Sequence, residues 1–547
     1  MAAPHQGQWE IIQDVSRNPK NSLVTAIHAN LIPIISDPSQ HPESKVLYWH
    51  GRYITNYDDG GKIVSCLYDP KTTEIVQYTV PVWPNITEPF DPSKIFCSAH
   101  IQLPDGKLLT AGGERNIPPV ASRGIKYSFI FDSLRINLSN PGPWRNTRTE
   151  IDQIPTMMSK GRWYPQLTKL QNGNIVAMSG YKYESQQIEI KAELFEPVTE
   201  TWLTYPDEVD LAVPLYNGAY LIPFGDWKGE IFYDLVSFGP ELPGWVRAHR
   251  FNPDINSPSW NQVGSQQTMR YRGNSAVLPF RSTDNKIRII NLGGGNDSYS
   301  KTAQLIEIGD NVNSDWISLP DMSYQRHDAP CALILADESL MVIGGGHDLQ
   351  TTLTPEILDY SDPDPKNWKW SNLPDMTVPR KYHSTGLLLQ DGSVWVAGSR
   401  IYDNPQRIEF ENDMERRIEI YKPGYFFEGL RPVIEGAPLV INYGNENSFE
   451  VTLDSSSGVD LQINSVALVS MANITHCFDN NQRYVILDFD ELSPNKLLVY
   501  PPLDSHIAPP GYYMLFVIND KSKSDSGETR IPSVAKIIKV FKKHESI

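Results

Sequence analysis

The stretch FCSAHIQLPDGKLLTAGGE, residues 96–114, contains two apolar segments that are joined by an Asp-Gly pair and followed by two glycines. Segments of this length are typical of β-strands, and Asp-Gly supplies the positive φ that a tight hairpin turn requires. The pattern returns at 162–181, 326–346 and 381–399, and more loosely from Ala26, Tyr216 and Arg272. The chain therefore contains seven copies of one strand–turn–strand unit.

Most copies are followed by a second strand pair that carries an aromatic residue, as in LFEPVTETWLTYP, residues 194–206. Two strand pairs form a four-stranded antiparallel blade, and glycines at the strand ends allow blades to crowd around an axis. Seven blades close into a β-propeller of the kelch kind, and the strand around Trp9 is expected to complete the last blade. An array of β-sandwiches with coincidental turns is disfavoured, because the copies are in phase.

The repeat ends near Arg431, and alternating strands such as GYYMLFVIND, residues 511–520, continue without the glycine ends. Six or seven strands in about 110 residues are typical of an immunoglobulin-like sandwich. We therefore predict an all-β protein. A seven-bladed kelch-type β-propeller is expected over residues 1–430, followed by an immunoglobulin-like β-sandwich over residues 431–547.

The composition excludes several classes of protein. With 48 Lys+Arg against 65 Asp+Glu the net charge is −17, whereas a nucleic-acid binder needs a basic face. Hydrophobic residues make up 40% and charged residues 21%, which excludes a disordered chain. No apolar run reaches the roughly 18 residues of a membrane helix. The N-terminus lacks signal-peptide features, so we expect either a cytoplasmic protein or a trimmed mature form that is secreted, cell-surface or periplasmic.

Four cysteines in so long a chain do not make a disulfide framework, and without a CxxC pair a structural zinc site is not expected. Cys66, Cys331 and Cys477 are interpreted as structural core residues. The sequence also lacks the P-loop, the dinucleotide fingerprint, HExxH and GxSxG. We therefore expect no nucleotide cofactor.

Chemically capable side chains lie at equivalent places in the repeats. Cys97 and Tyr164 each come just before the first strand of a copy, and Tyr382 and His383 hold that place in the last copy. Strand heads of a propeller converge on its axis, so these residues are expected to meet there, with His476 of the second domain as a further candidate. The structural alternatives are a small buried thiol, aromatics packed between blades and satisfied core histidines.

The motifs around these residues resemble those of the copper radical oxidases, the family of galactose oxidase and glyoxal oxidase. They are FC at 96–97, RWYP at 162–165, YHS at 382–384, and TH at 475–476 followed by NNQR. They follow the family's order over nearly the whole chain, and the resemblance is closer to the glyoxal oxidase type.

The resemblance implies a copper ion whose ligands are Tyr164, Tyr382, His383 and His476. It also implies a covalent bond between the sulfur of Cys97 and the ring of Tyr164. Imidazole nitrogen and phenolate oxygen suit Cu(II), and a thioether makes the ring easier to oxidise to a radical. The catalytic residues would be Cys97, Tyr164 and Tyr382, the last as general base. The implied reaction oxidises a primary alcohol or hydrated aldehyde with O2, giving an aldehyde or carboxylic acid and hydrogen peroxide.

Departures from galactose oxidase bear on the substrate. The position of the tryptophan that stacks over the cross-linked tyrosine there is held by Lys182, so Tyr181, Tyr183 or an aromatic residue of another loop is expected to stack. The galactose-gripping arginine and the loop phenylalanine have no counterpart here. A small alcohol or aldehyde is therefore favoured over galactose. Further candidate pocket residues follow the glycine-rich blade ends, namely Asp297, Tyr299 and His347.

A second hypothesis is a catalytically inactive propeller–sandwich that binds glycans or a protein partner through its loops. For the enzyme we expect a monomer whose partners are a small alcohol or aldehyde and O2, with no nucleic acid and no transmembrane segment. The presence of all five residues of the implied centre favours the enzyme over the binding module.

Overall fold

The chain is almost entirely β-structure, which confirms the predicted fold class. The computed structural model describes residues 6–13, 24–51, 63–81, 94–115, 123–137, 142–149, 151–237, 245–265, 269–295, 300–310, 315–328, 330–347, 350–400, 414–454, 462–521 and 529–541. Its helical turns in these ranges are short 3-10 segments, at Ser133–Arg135, Asp207–Val209, Gly225–Trp227, Pro365–Asn367, Gly424–Phe426 and Asn445–Asn447. No helix within these ranges has the length and apolar character needed to cross a membrane.

The described residues between 8 and 422 form seven sheets with four antiparallel strands each. Two further strands extend one of these sheets. Listed sheet by sheet from the inner strand outward, the strands are His28–Ile34, Glu43–Trp49, Val64–Tyr68 and Ile75–Thr79; Ala99–Gln102, Leu108–Ala111, Ser128–Phe131 and Trp144–Asn146; Gln166–Lys169, Ile175–Met178, Glu193–Glu196 and Thr201–Thr204; Ala219–Leu221, Ile231–Tyr233, Ala248–Asn252 and Ser259–Val263; Gly273–Val277, Lys286–Gly293, Ala303–Gly309 and Ile317–Ser318; Cys331–Ile334, Leu340–Ile343, Glu356–Asp359 and Lys369–Asn372; Ser384–Leu388, Val394–Gly398, Ile418–Lys422 and Gln8–Gln13. We interpret these sheets as the blades of the propeller.

The first and last parts of this region meet in one sheet. Gln8–Gln13 pairs antiparallel with Ile418–Lys422, and Trp9 lies opposite Tyr421. The rings of these two residues are 4.9 Å apart, and the Trp9 indole donates to the carbonyl of Pro374. The expectation that the strand around Trp9 completes the last sheet is therefore confirmed.

Buried ion pairs hold three of the sheets together in the same way. Arg326, just before an inner strand, donates through Nη2 to Glu356 on the third strand at 2.7 Å and through Nη1 to the Gly344 carbonyl at 2.6 Å. Both partners of this pair are fully buried. The same arrangement joins two further pairs, Arg162 with Glu193 and Arg380 with Glu419. Each arginine therefore fixes the head of an inner strand to the rest of its sheet.

Two further sheets contain most of the C-terminal strands. The larger consists of Phe280–Arg281, Tyr484–Leu487, Ile463–Ser470, Gly511–Lys521, Lys536–Val540 and Val440–Ile441, with Thr529–Pro532 on Gly511–Lys521; the smaller consists of Ile434–Gly436, Phe449–Leu453, Lys496–Val499 and Phe489–Ser493. Side chains of both, including Val451, Leu497, Val466 and Leu515, share one buried apolar cluster, as in a sandwich. The boundary at residue 430 stays a prediction, and Phe280–Arg281 joins the larger sheet from the propeller side.

Three further pairs of two-residue strands in the described residues lie outside these sheets. They are Glu114–Arg115 with Arg123–Gly124, Val236–Ser237 with Arg270–Tyr271, and Gly346–His347 with Gln350–Thr351.

A hairpin from the C-terminal region enters the propeller. Asn473–Thr475 pairs with Phe478–Asp479 and also antiparallel with His28–Ile34, where Thr475 lies opposite His28. These are the two strands that extend the first sheet. The tip of the hairpin, with His476, is thereby placed among the heads of the inner strands.

Two of the four cysteines are bonded to each other. Cys331 and Cys477 form a disulfide, with their Cα atoms 4.6 Å apart across 146 residues, and both are buried, as expected of structural core residues. The cause is the inserted hairpin, which brings Cys477 against the inner strand that begins at Cys331. Cys66 and Cys97 are buried and take no part in this disulfide.

Candidate functional site

Four side chains of the predicted centre sit on backbone in the left-handed region. The φ angles are 52° at Cys97, 66° at Tyr164, 68° at His383 and 52° at His476. Positive φ is uncommon for residues with a side chain, and such conformations cluster at functional sites. Cys97, Tyr164 and His383 each occupy the turn directly before an inner strand, and His476 occupies the tip of the inserted hairpin.

The predicted residues lie together in the structure. One ligand atom from each of Cys97, His383 and His476 lies within 4.8 Å of the others, and all three side chains are buried. The Tyr164 and Tyr382 hydroxyls are 2.5 Å apart, and the Cys97 sulfur is 3.5 Å from His476 Nε2. The five side chains thus form one compact group of two imidazoles, two phenols and a thiol.

Ring contacts fix the relative orientation of these groups. The Tyr164 ring is 5.1 Å from the His476 ring, and the Tyr382 ring stacks on His383 at 3.9 Å. The two imidazoles meet edge to face at 4.7 Å. Such packing leaves little rotamer freedom, so the donor atoms are held in place before any ion binds.

Burial favours the neutral forms of Tyr164 and His476. It raises the pKa of Tyr164 well above its ordinary value, and the nearby Cys97 and Tyr382 raise it further. Burial also lowers the pKa of His476 well below its ordinary value, with smaller contributions from His100 and Arg272. A neutral imidazole can donate its lone pair to a metal, and a bound divalent cation favours the phenolate.

A chain of hydrogen bonds sets the tautomer of His476. The Tyr216 hydroxyl donates its only proton to the Ser98 carbonyl at 2.8 Å. It must therefore accept in its hydrogen bond with the Thr475 hydroxyl. This second hydrogen bond lowers the pKa of Tyr216, against the larger raising effect of burial. The Thr475 oxygen then accepts from His476 Nδ1, 2.7 Å away. Because Nδ1 carries the proton, the lone pair of His476 is on Nε2, the atom that faces Cys97.

A second histidine pair supports Cys97. The backbone N–H of Cys97 donates to His28 Nε2 at 3.1 Å, so His28 carries its proton on Nδ1 and donates it to His100 Nε2 at 3.2 Å. Burial lowers the pKa of His100 to about 3, so the pair is neutral. This pair was not predicted from the sequence, although AIHAN and SAHIQ place His28 and His100 at equivalent positions of two repeats.

Trp163 and Tyr216 lie nearer to the Tyr164 ring than Tyr181 does. Trp163 lies 4.9 Å from the Tyr164 ring at 69°, and Tyr216 lies 5.0 Å away at 57°. Tyr181 is more distant, at 6.5 Å and edge to face, while the Tyr183 ring lies 5.8 Å from Lys126 Nζ. Neither Trp163 nor Tyr216 was singled out, although Tyr216 heads one of the repeats.

The remaining candidate pocket residues are only partly placed. His347 lies on the strand Gly346–His347, which pairs with Gln350–Thr351. Asp297 and Tyr299 lie outside the described residues. These three assignments stay predictions.

Comparisons with known proteins agree with the motifs. Residues 431–540 match the family model "Galactose oxidase-like, Early set domain". The chain is 26% identical over 461 residues to a WSC domain-containing protein of Arthroderma benhamiae, covering 80% of this chain and 46% of that protein. It is 26% identical to aldehyde oxidase GLOX of Vitis pseudoreticulata, covering 87% of this chain and 88% of the relative. It is 23% identical to a galactose oxidase of Gibberella zeae, and the match covers 88% of this chain and 65% of that protein.

A solved structure has the same fold. A fungal alcohol oxidase of the AA5 family, in complex with copper, superposes with a TM-score of 0.69 at 19% identity and covers 98% of this chain and 99% of that one. The chain spans less than half the length of the Arthroderma relative but most of the plant one. Together these matches confirm the fold class and the resemblance stated from the motifs.

Proposed function

We propose that this chain, a relative of the copper radical oxidases, oxidises a primary alcohol or hydrated aldehyde with O2 and releases hydrogen peroxide. The observation that carries the proposal is the compact group of Cys97, Tyr164, Tyr382, His383 and His476. These residues come from three sheets and a hairpin, and a purely structural role gives no reason for them to converge.

The donor set fits copper. Two imidazole nitrogens and two phenol oxygens make an N,O site of the kind that Cu(II) prefers, and zinc or calcium sites have different donor sets. His476 presents Nε2 to this site because Nδ1 is engaged by Thr475. In the proposal, Tyr164, Tyr382, His383 and His476 hold the ion. When bound, copper supplies a one-electron acceptor beside the organic radical, and dioxygen takes up the two electrons as hydrogen peroxide.

Cys97 and Tyr164 make up the organic part of the cofactor. The Cys97 thiol is in hydrogen-bond contact with the Tyr164 hydroxyl, so the sulfur and the ring are neighbours before any bond forms. A thioether between them would replace one thiol hydrogen and one ring hydrogen, a two-electron oxidation in which O2 would take up both electrons and both protons as hydrogen peroxide. Its sulfur would donate electron density, which makes the Tyr164 ring easier to oxidise by one electron.

The two tyrosines divide the proton and hydrogen-atom transfers. Tyr382 accepts the O–H proton of the substrate, and the Tyr164 radical takes a hydrogen atom from the adjacent carbon, which becomes the carbonyl carbon. Their hydroxyls lie 2.5 Å apart, so a substrate oxygen near one is also near the other. A substrate held there has its O–H and its C–H beside the two groups that remove them.

A small substrate is favoured over galactose. The side chains nearest the Tyr164 ring are bulky aromatics, Trp163 and Tyr216, rather than groups that grip a sugar ring. The plant relative carries the name aldehyde oxidase at somewhat higher identity than the galactose oxidase, 26% against 23%. We therefore place the substrate among short alcohols and aldehydes.

The thioether provides the decisive test. Protein loaded with copper in air is digested and its peptides are measured by mass spectrometry after full reduction, which removes the disulfide. We expect a peptide pair joined through Cys97 and Tyr164 and lighter by two hydrogen atoms. The matched controls are copper-free protein and Cys97→Ala, in which the pair should be absent. An alkylated Cys97 in the copper-loaded, oxygen-exposed protein would contradict the proposal.

The reaction itself is tested by coupling peroxide release to a dye over a panel of alcohols, aldehydes and sugars. Tyr164→Phe should lose turnover while keeping its thermal unfolding profile. Sustained turnover of that variant would refute the radical role of Tyr164, and it would leave the fold assignment untouched.

A further inference from the structure

The heads of six successive inner strands carry residues with positive φ, and two of them have no part in the proposed mechanism. The six are Cys97, Tyr164, Tyr216, Arg272, Asp328 and His383, with φ values of 52°, 66°, 41°, 55°, 59° and 68°. Three of them supply groups of the centre and Tyr216 orients His476. Arg272 and Asp328, on neighbouring sheets, are charged, and their place on the ring puts them beside Tyr382.

The two residues form a fixed ion pair. Arg272 Nη1 is hydrogen-bonded to Asp328 Oδ1, and Arg272 Nε donates to the Tyr271 hydroxyl at 3.1 Å. His327 Nδ1 lies 3.5 Å from the same carboxylate oxygen. Burial alone would raise the pKa of Asp328, but His327 and Arg272 lower it to about 2. The carboxylate is therefore charged at neutral pH.

The guanidinium reaches the reacting groups. Its central carbon lies 4.8 Å from the centre of the Tyr382 ring and 5.3 Å from that of Tyr271. Its charge also contributes, after burial and His100, to the lowered pKa of His476. The Arg272 side chain remains 26% exposed, so it borders both the centre and the solvent.

Arg272 keeps N–H groups that can still donate to a substrate. Nε and Nη1 are engaged, and Nη2 has no hydrogen-bond partner among the residues that the structure describes. Asp328 therefore already occupies one of the N–H groups with which arginine could bind a further carboxylate at two points. A single neutral oxygen can still accept from Nη2, and the negative charge of Asp328 disfavours an anion in its place.

We propose that the Arg272–Asp328 pair is a specificity determinant that binds a neutral hydroxyl or carbonyl oxygen on the carbon next to the reacting carbon. The inference rests on the proposed function and adds to it the pair of residues that selects, among small aldehydes and alcohols, those with an oxygen on the neighbouring carbon. Arg272 donates to the neighbouring oxygen, and Asp328 keeps the subsite electrically neutral.

Matched substrates test the pair. Glycolaldehyde and acetaldehyde differ by one hydroxyl, and Arg272→Met should lower the ratio of their kcat/KM values about 10-fold to 100-fold, the effect of one hydrogen bond to a charged donor. Arg281→Met, in an exposed pair with Asp488, makes the same chemical change elsewhere and should leave the ratio unchanged. A parallel fall for both substrates in Arg272→Met would overturn the inference, because it would indicate a structural role.

The negative charge of Asp328 is tested separately. Asp328→Asn removes the negative charge and keeps an oxygen that can accept from Nη1, so it should raise the kcat/KM for glyoxylate, an anion, relative to glycolaldehyde by about 10-fold. An unchanged or lower ratio would overturn the role assigned to Asp328. A merely structural contribution of Asp328 would lower both values together.

A binding measurement separates this inference from the proposed function. Saturation-transfer NMR on copper-free protein, where no turnover occurs, should show glycolaldehyde contacts that weaken in Arg272→Met but not in Arg281→Met. Equal signals in wild type and Arg272→Met would overturn the subsite. Absence of the Cys97–Tyr164 thioether would instead refute the proposed chemistry, and the NMR result would still decide the subsite.

Discussion

Cys331 and Cys477 form a disulfide that joins an inner strand of the propeller to the residue after His476. The hairpin that carries His476 is otherwise held by backbone pairing with His28–Ile34. The disulfide therefore closes a loop of 146 residues and fixes the backbone next to His476, one of the proposed copper ligands. Its effect should be visible both in stability and in metal binding.

Replacing both bonded cysteines by alanine should destabilise the protein by about 2–4 kcal/mol, the usual contribution of a native disulfide. The same variant should bind copper more weakly, because the backbone next to His476 gains freedom. Urea unfolding and copper titration with a competing chelator measure the two effects. Cys66→Ala is the control: it changes a free buried cysteine and should leave copper affinity unchanged. Alkylation of Cys331 in denatured, unreduced wild type would contradict the bond itself.

Thr475→Val should weaken copper binding about 10-fold to 100-fold, as the loss of a hydrogen bond to a ligating histidine commonly does. Valine has the shape of threonine but cannot accept the Nδ1–H of His476, so that N–H is left unsatisfied in a buried site. Chelator competition gives the affinity, and electron paramagnetic resonance of the Cu(II) form reports the change in ligand orientation.

Thr475→Ser is the matched control, since its hydroxyl can replace that of threonine and should restore both readouts. Tyr216→Phe should have a smaller effect in the same direction, because it removes the acceptor for the Thr475 hydroxyl. Wild-type affinity in Thr475→Val would show that the hydrogen bond does not position His476.

The sheets were predictable because their signals are local in sequence. Gly106, Gly173 and Gly392 adopt φ values of 91°, 87° and 88° in the Asp-Gly and Asn-Gly turns that defined the repeats. The convergence of Cys97 and Tyr164 followed from the repeat itself, since equivalent positions of a closed ring face the same axis.

Contacts made through the inserted hairpin were not predictable from one sequence. The bond between Cys331 and Cys477 and the contact between Thr475 and Tyr216 depend on where a distant segment enters the propeller. The periodicity of the strands does not indicate where the hairpin enters the propeller. The role of His28 was missed for a related reason, because its partner is the backbone N–H of Cys97.

Arg326→Met should cost about 3–5 kcal/mol of unfolding free energy, because it leaves the carboxylate of Glu356 buried without a counter-charge. Chemical denaturation provides the value. The double variant Arg326→Met, Glu356→Leu should recover much of the loss, since an apolar pair needs no compensation. Lys496→Met, which breaks the exposed pair with Glu450, should have a much smaller effect. Equal losses in the single and double variants would show that packing rather than charge sets the cost.

Lys169 should make stability depend on pH above neutrality. It is buried and donates to the Gln102 carbonyl at 3.3 Å; burial and the nearby Arg483 lower its pKa to about 7, against a smaller opposing effect of Asp479. Between this value and the ordinary pKa of 10.5 the unfolded chain binds a proton that the folded protein does not. The stabilisation that the neutral Lys169 contributes is therefore fully present above about pH 10.5. It is lost as the pH falls from there to about 7.

Urea unfolding at several pH values between about 7 and 10 tests this sign. The unfolding free energy of the wild type should rise with pH more steeply than that of Lys169→Met, which has no proton to gain in either state. Lys71→Met removes an exposed lysine paired with Glu43 and should keep the wild-type slope. Parallel slopes for wild type and Lys169→Met would mean that Lys169 is protonated in the folded protein. Its charge would then have to be compensated by the nearby carboxylate of Asp479.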